Sequence, residues 1–206
     1  MSILVLTSNT LSSPAAAGQI EYESPIFAAT PIGTQRGIIP TQQYYRLNAD
    51  LAGANVTTAQ SMFNVGCTLS ASTVYEFEIL YAMSKTAGTT SHQVQLGFGG
   101  TATINNISYS SDGQFSQTSF VSPNTRALIF PQSAAAIAPI GATATAFQSF
   151  VFLLKGTVSV NAGGTFIPQY TLTAAPGGAY TTAAGSYIRI NPLSASGAAT
   201  NVGTWS

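Results

Sequence analysis

The chain has 206 residues, six Lys or Arg against six Asp or Glu, and no formal net charge. Its charged share is 6%, against roughly 25% in an ordinary soluble domain. Arg36, Arg46, Lys85, Arg126, Lys155 and Arg189 are scattered singly. That excludes the basic footprint of nucleic-acid binding, and no run approaches the roughly 18 apolar residues of a membrane-spanning helix.

The length fits one all-β domain of generous size, able to bury a core without staples. Thr, Ser, Asn, Gln, Gly and Ala fill the space that charge normally takes. Such a surface has little repulsion to keep copies apart. It suits a subunit packed against identical copies or partners; a secreted or wall-associated β domain is the other reading. Cys67 is the sole cysteine and cannot close an intrachain disulfide. A free, buried thiol fits assembly in a reducing cytoplasm. Residues 3–6, followed by Ala15-Ala16-Ala17, imitate a signal peptide. No basic residue precedes that run, and it is too short for the apolar region such a peptide needs.

In chain order, residues 1–17 read as an arm without periodicity, ordered by a surface it docks on. Ile3, Leu4, Val5 and Leu6 are its apolar stretch and its candidate contact with a partner. Residues 18–206 read as a single β-sandwich domain. Ile20 and Tyr22 alternate with Glu21 and Glu23, a half-buried strand. Residues 25–31 form an apolar strand bracketed by prolines, and 42–47 another with Tyr44 and Tyr45. Residues 57–63 carry the single helix candidate, with a Thr-x-x-Gln capping pattern. One or two turns there would plug an end of the sandwich with Met62 and Phe63.

Residues 73–83 are the strongest strand. Tyr75, Phe77, Ile79, Tyr81 and Met83 face one way, and Glu76 and Glu78 the other. Residues 91–99 follow after a polar turn, so the two are expected to pair as a hairpin. Residues 102–109, 115–121 and 126–130 are weaker strands, and 133–145 a loop. Residues 146–155 are nearly all apolar, as a central strand covered on both sides would be. Residues 158–172 read as a second hairpin, with Asn161-Ala162-Gly163-Gly164 supplying positive φ angles. Pro168 cannot donate to a ladder, so its arm is expected at a sheet edge. Phe166, Pro168 and Tyr170 are then the candidate oligomer edge. With 186–191, this makes about ten to twelve short strands and almost no helix. The expected fold is an all-β, antiparallel β-sandwich or jelly-roll-like domain.

Chemistry is sparse. Glu76 and Glu78 lie roughly 7 Å apart by strand rise, a spacing at which paired carboxylates can act as glycosidase acid and base. Alternating charge on a half-exposed strand, paired with scattered Arg and Lys, explains them without catalysis. Glu21 and Glu23 repeat the pattern. Calcium would want an Asp/Asn-rich loop that is missing. His92 and Cys67 are single, so one chain cannot assemble a zinc site, although three copies of His92 around a three-fold axis could. His92 itself reads as a strand-end residue on the apolar face. No nucleophile elbow is present. Gly97, Gly99 and Gly100 are not followed by a helix that could cradle phosphate; they suit close strand crossing. No cofactor and no metal is expected. Tyr44, Tyr109 and Tyr180 are candidates to stack on a sugar ring if exposed.

Several segments together resemble a β-rich domain common in tailed-bacteriophage virion proteins, especially those of phages of aquatic bacteria. They are Ala17-Gly18-Gln19-Ile20-Glu21-Tyr22, Phe27-Ala28-Ala29-Thr30-Pro31, Arg36-Gly37 and the region of Met62-Phe63-Asn64. They continue with Gly97-Phe98-Gly99-Gly100-Thr101-Ala102, Val160-Asn161-Ala162-Gly163-Gly164-Thr165, Pro168-Gln169 and Ser186-Tyr187-Ile188-Arg189-Ile190. The last is Gly203-Thr204-Trp205-Ser206. The resemblance implies a non-enzymatic module on the outside of a phage particle, made in the host cytoplasm. A short arm on a compact body suits a capsid decoration, or cement, protein that stabilises the shell as a homotrimer. Its partners would be the major capsid protein and itself, with neither nucleic acid nor membrane. The alternative is a tail-fibre or receptor-binding tip that recognises a host surface glycan. A carbohydrate-active enzyme ranks third.

Overall fold

A computed structural model describes residues 5–117, 125–197, 199 and 202–205. Among these the chain is all-β, with fifteen strands and no helix. A meander comes first: β1 (Gln19–Glu23), β2 (Ile26–Ile32) and β3 (Gln35–Ile39). Short strands follow: β4 (Gln43–Arg46), β5 (Leu51–Ala52), β6 (Gln60–Ser61) and β7 (Cys67–Leu69). The remainder are β8 (Thr73–Lys85), β9 (Val94–Gly99), β10 (Thr103–Ser116), β11 (Thr125–Ile129), β12 (Gln148–Ala162), β13 (Gly164–Leu172), β14 (Thr181–Thr182) and β15 (Tyr187–Ala195). Every strand pairing is antiparallel.

The main sheet runs β11-β10-β12-β8. Beyond β8, one flank is shared by β15, with β4 outside it, and by β14, with β5 outside it. The second sheet centres on β13, with β9 on one side and β6 and β7 end to end on the other. β8 explains the sandwich. Tyr75, Phe77, Ile79, Tyr81 and Met83 are all buried, and each contributes roughly 1.5–3 kcal/mol of transfer free energy. Their partners across the gap are Val94, Leu96, Phe98, Phe166, Tyr170 and Leu172. Phe98 stacks on Phe166 at 4.8 Å, and Phe77 meets Phe98 edge-on at 5.3 Å. The loop over 133–145 runs along the free side of β9. Leu96 and Ile137 exchange two backbone hydrogen bonds of 2.9 Å, which covers that strand edge.

Several expectations fail at the level of pairing. The stretch 158–172 is not a hairpin. β12 lies in the main sheet between β10 and β8, and β13 lies in the second sheet. Residues 161–164 form a corner between sheets. Neither Gly163 nor Gly164 takes a positive φ. They are needed for closeness: a Cβ at Gly164 would stand 2.5 Å from the Ala102 nitrogen, and one at Gly163 2.9 Å from the Leu69 carbonyl oxygen. β8 and β9 likewise pass into different sheets instead of pairing. Alternation told which face was buried, and both neighbours bury a face into the same gap from opposite sides.

Pro168 is not at an edge, because β13 is paired on both flanks. Its carbonyl accepts from the Met62 N–H at 3.0 Å. Its ring nitrogen therefore faces the break between β6 and β7, where no ladder bond is lost. Phe166 and Tyr170 point into the core, so they form no oligomer edge. The helix over 57–63 does not form. Gln60 accepts from the Ala54 N–H at 2.6 Å and from the Tyr170 hydroxyl at 3.0 Å, so its side chain is engaged in loop and sheet contacts. Met62 and Phe63 do fill the core. The two weak strands after residue 102 are one strand, β10, as far as Ser116; residues 118–121 lie outside the described ones. β12 is central, yet Val151 and Leu153 are only half-buried, so one face is covered, not two.

Replacing Phe77 with Ala removes the ring that touches Phe98, Phe166 and Tyr109. The expected cost is about 3–5 kcal/mol of unfolding free energy, read from urea denaturation. A loss below about 1 kcal/mol would show that this ring does not join the sheets.

Candidate functional site

Two outward faces gather much of the surface chemistry among the described residues. The first is on the meander. β2 buries Ile26, Ala28 and Thr30, and the principal contact of this sheet with the body is β2 against β15. On that same face Glu21 is held by its own chain. The Ser12 N–H and hydroxyl both donate to its Oε1 at 2.7 Å, and Arg36 Nε donates to Oε2 at 2.9 Å. An Arg36 NH2 group also donates to the Ser12 carbonyl at 2.6 Å. The Ser12 hydrogen bonds, with help from Arg36, lower the carboxyl pKa below its ordinary value.

This reverses the expected parity of β1. Glu21 turns inward because Ser12 and Arg36 satisfy it, and Ile20 is left 63% exposed. Register puts Ile20, Tyr22, Phe27, Ala29 and Ile39 on the outward face. Tyr22 and Phe27 stack at 4.5 Å, and Ile39 is 36% exposed. None of these five residues carries charge. The arm is docked on its own chain: Asn9 N–H donates to Tyr22 O at 3.0 Å, and Ser24 N–H to Ser8 Oγ at 2.8 Å. Val5 is 78% exposed and Leu6 half-buried. Ile3 and Leu4 lie outside the described residues.

The second face is the outside of the main sheet. Register sets Tyr44, Arg189, Glu78 and Lys155 in one row across β4, β15, β8 and β12. The next row carries Asn191, Glu76 and Thr157. Four of the chain's charged side chains, six acidic and six basic in all, thus stand together. Glu78 accepts from the Tyr187 hydroxyl at 2.7 Å, from an Arg189 NH2 group at 2.8 Å and from Lys155 Nζ at 2.9 Å. Burial alone would raise its pKa, but hydrogen bonds from Tyr187, Lys155 and Arg189 outweigh that and bring it to about 2. Glu78 is therefore a fixed carboxylate and does not supply the protonated acid a glycosidase needs. Pro40, Gln42, Glu76, Phe77, Lys155 and Asn191 help to line a cleft of about 290 Å³ here.

The remaining candidates are core residues. Tyr109 and Tyr180 are buried, and Tyr44 alone of the three is exposed, at 56%. Cys67 is free and half-buried, its Sγ 3.2 Å from Gln43 Oε1, and burial pushes its thiol pKa up. His92 lies on the apolar face as expected. Its Nδ1 is 2.7 Å from Thr90 O and its Nε2 2.7 Å from the Tyr180 hydroxyl. Burial is the main cause of its lowered pKa. Tyr180 also bonds Gln148, whose Nε2 donates to Thr143 Oγ1 at 2.7 Å. Among the described residues no group of three or more His, Cys, Asp or Glu could hold a metal ion.

Lys85, at the entry to the polar turn expected between 73–83 and 91–99, is buried. Its Nζ donates to the carbonyls of Gly88 and Thr145 at 2.7 Å, Ala146 at 3.1 Å and Ala87 at 3.2 Å. The signal was there: Lys85 continues the parity of Tyr81 and Met83, and Gln148 that of Phe150 and Phe152.

No family model matches the chain, and no curated protein matches it by sequence. One structural likeness is to a chain of infectious bursal disease virus, Gx strain, at 8% identity and a TM-score of 0.19. The match covers 90% of this chain and 52% of that one, so this chain spans about half of it. At that TM-score the likeness does not establish a shared fold and says nothing about function.

Glu78 makes the site sensitive to acid. Its folded pKa lies below the ordinary 4.5, so its stabilisation is complete above pH 4.5 and is lost as pH falls toward about 2. Thermal melts across that window should show a falling Tm, and Glu78→Gln should lower Tm at pH 7 while flattening the fall. An equal fall in both proteins would remove Glu78 as its cause.

Proposed function

We propose that the chain is a bacteriophage virion structural protein, a decoration protein that binds the outer shell as a homotrimer. The observation that carries this reading is the outward face of the meander. Ile20, Tyr22, Phe27, Ala29 and Ile39 form a patch without charge on a sheet whose Glu21 and Arg36 are satisfied on its other side. Exposed apolar patches of this kind mark surfaces that another protein covers. The low charge of the whole chain and its resemblance to phage virion domains point the same way. The major capsid protein is the partner proposed for this face, and the capsid surface the proposed location.

The mechanism is mechanical, and no enzymatic activity is proposed. The Ser12–Glu21–Arg36 lock holds the meander before docking, so little ordering entropy is lost on binding. Repeated over many copies, modest contacts add through multivalency. The tail-fibre or receptor-tip reading ranks second; Tyr44, exposed beside a polar cleft, is the feature that favours it.

The Ile20→Asp, Ile39→Asp double variant should fold with an unchanged Tm. It should bind shells stripped of this protein at least about tenfold more weakly, ~1.4 kcal/mol, by co-sedimentation. Light scattering should still give a trimer. Undiminished binding by the folded variant would reject this face as the docking surface.

A further inference from the structure

The polar cleft on the main sheet gathers unspent hydrogen-bonding groups whose charges cancel, and an exposed aromatic ring, Tyr44, stands on the neighbouring strand beside it. Lys155 and Arg189 balance Glu76 and Glu78. Glu78 is consumed by its three partners. Among the described residues, no hydrogen bond or ion pair engages the side chains of Gln42, Glu76 or Asn191, so two amides and one carboxylate remain available. Arg189 gives an NH2 group to Glu78 and stays 46% exposed at its side chain. Register sets Tyr44 beside Arg189, next to the residues that line the cleft and not among them.

Tyr44 is also held in place. Its ring lies 5.7 Å from that of Tyr187, and Tyr187 is fixed through its hydroxyl to Glu78. Glu78 in turn is clamped by Lys155 and Arg189. A plate positioned in this way loses little freedom on binding.

The chemistry of these groups selects a ligand. An anion gains little, because Glu78 already neutralises the two cations in part and Glu76 opposes it. A purely apolar molecule would leave the carboxylate and amides without partners, which is costly. A pyranose offers what the cleft lacks. One face of the ring is C–H and packs on an aromatic plane, and its hydroxyls both donate and accept. We propose that this cleft binds a neutral hexopyranose unit of a glycan. The sugar's C–H face lies on Tyr44, and its hydroxyls donate to Glu76 and exchange hydrogen bonds with Gln42 and Asn191. Free N–H groups of Arg189 donate to a ring hydroxyl. Glu78, Lys155 and Tyr187 are positioning residues. The inference does not rest on shell binding, because it uses a different sheet.

Saturation-transfer NMR with the intact protein tests it, using methyl glucoside, methyl galactoside and methyl mannoside as separate probes and N-acetylneuraminate as the anionic arm. At least one methyl hexoside should bind saturably with a Kd in the millimolar range, on the order of −4 kcal/mol. Tyr44→Ala should weaken it about tenfold or more, and Tyr44→Phe, which keeps the plate, by less than about threefold. Glu76→Gln should weaken it without changing Tm. Silence from all three hexosides at about 50 mM, a concentration well above such a Kd, overturns the proposal. So does binding untouched by Tyr44→Ala, or binding of N-acetylneuraminate alone. None of these results bears on shell co-sedimentation, so the two readings fail separately.

Discussion

Phe77 joins the two halves of the sandwich, and the rest of the body is arranged around that junction. Its ring meets Phe98 at 5.3 Å, Phe166 at 5.8 Å and Tyr109 at 6.2 Å. Tyr109 and Phe77 reach each other because Gly156 stands between them in the row, opposite both. A side chain there would collide with the Tyr109 backbone and Cβ. Aromatic pairs of this kind add about 0.5–1.5 kcal/mol each beyond the area they bury. The same constraint sets the outside. With Phe77 turned in, its neighbours Glu76 and Glu78 must turn out, and the polar row across β12, β8, β15 and β4 follows from that parity.

The all-β class was legible because the long strands alternate cleanly, β8 above all. That alternation even extends to Lys85 and Gln148, two polar residues that belong inside. Pairing was not legible. A period of two assigns a face and cannot say which sheet a strand joins, so 73–99 and 158–172 both look like hairpins in sequence and are not hairpins in the structure. The Gly163-Gly164 corner looks like a turn in sequence, because close approach and positive φ both call for glycine.

The site was legible in part. Glu76, Glu78 and Tyr44 could be singled out, but Lys155, Arg189 and Tyr187 come from strands distant in sequence and meet only through register. Pro168 misled because a proline in a strand signals an edge unless its nitrogen happens to face a break in the neighbour. β1 misled for another reason. Its alternation is real, but Ser12 and Arg36 supply partners for Glu21, and that reversed which side is buried. The outward apolar face of the meander exists because a polar lock occupies the inner one.

That division gives the molecule two different surfaces, an uncharged apolar patch on the meander and a neutral polar cleft on the main sheet. The first suits permanent cover by a protein; the second stays wet and suits reversible contact. The most direct measurement is an image of purified particles carrying a label fused to this chain, combined with its copy number per particle. The account predicts label spread over the shell in hundreds of copies, on the order expected for a multivalent coat. A handful of copies confined to the tail, or none on the particle, would contradict it.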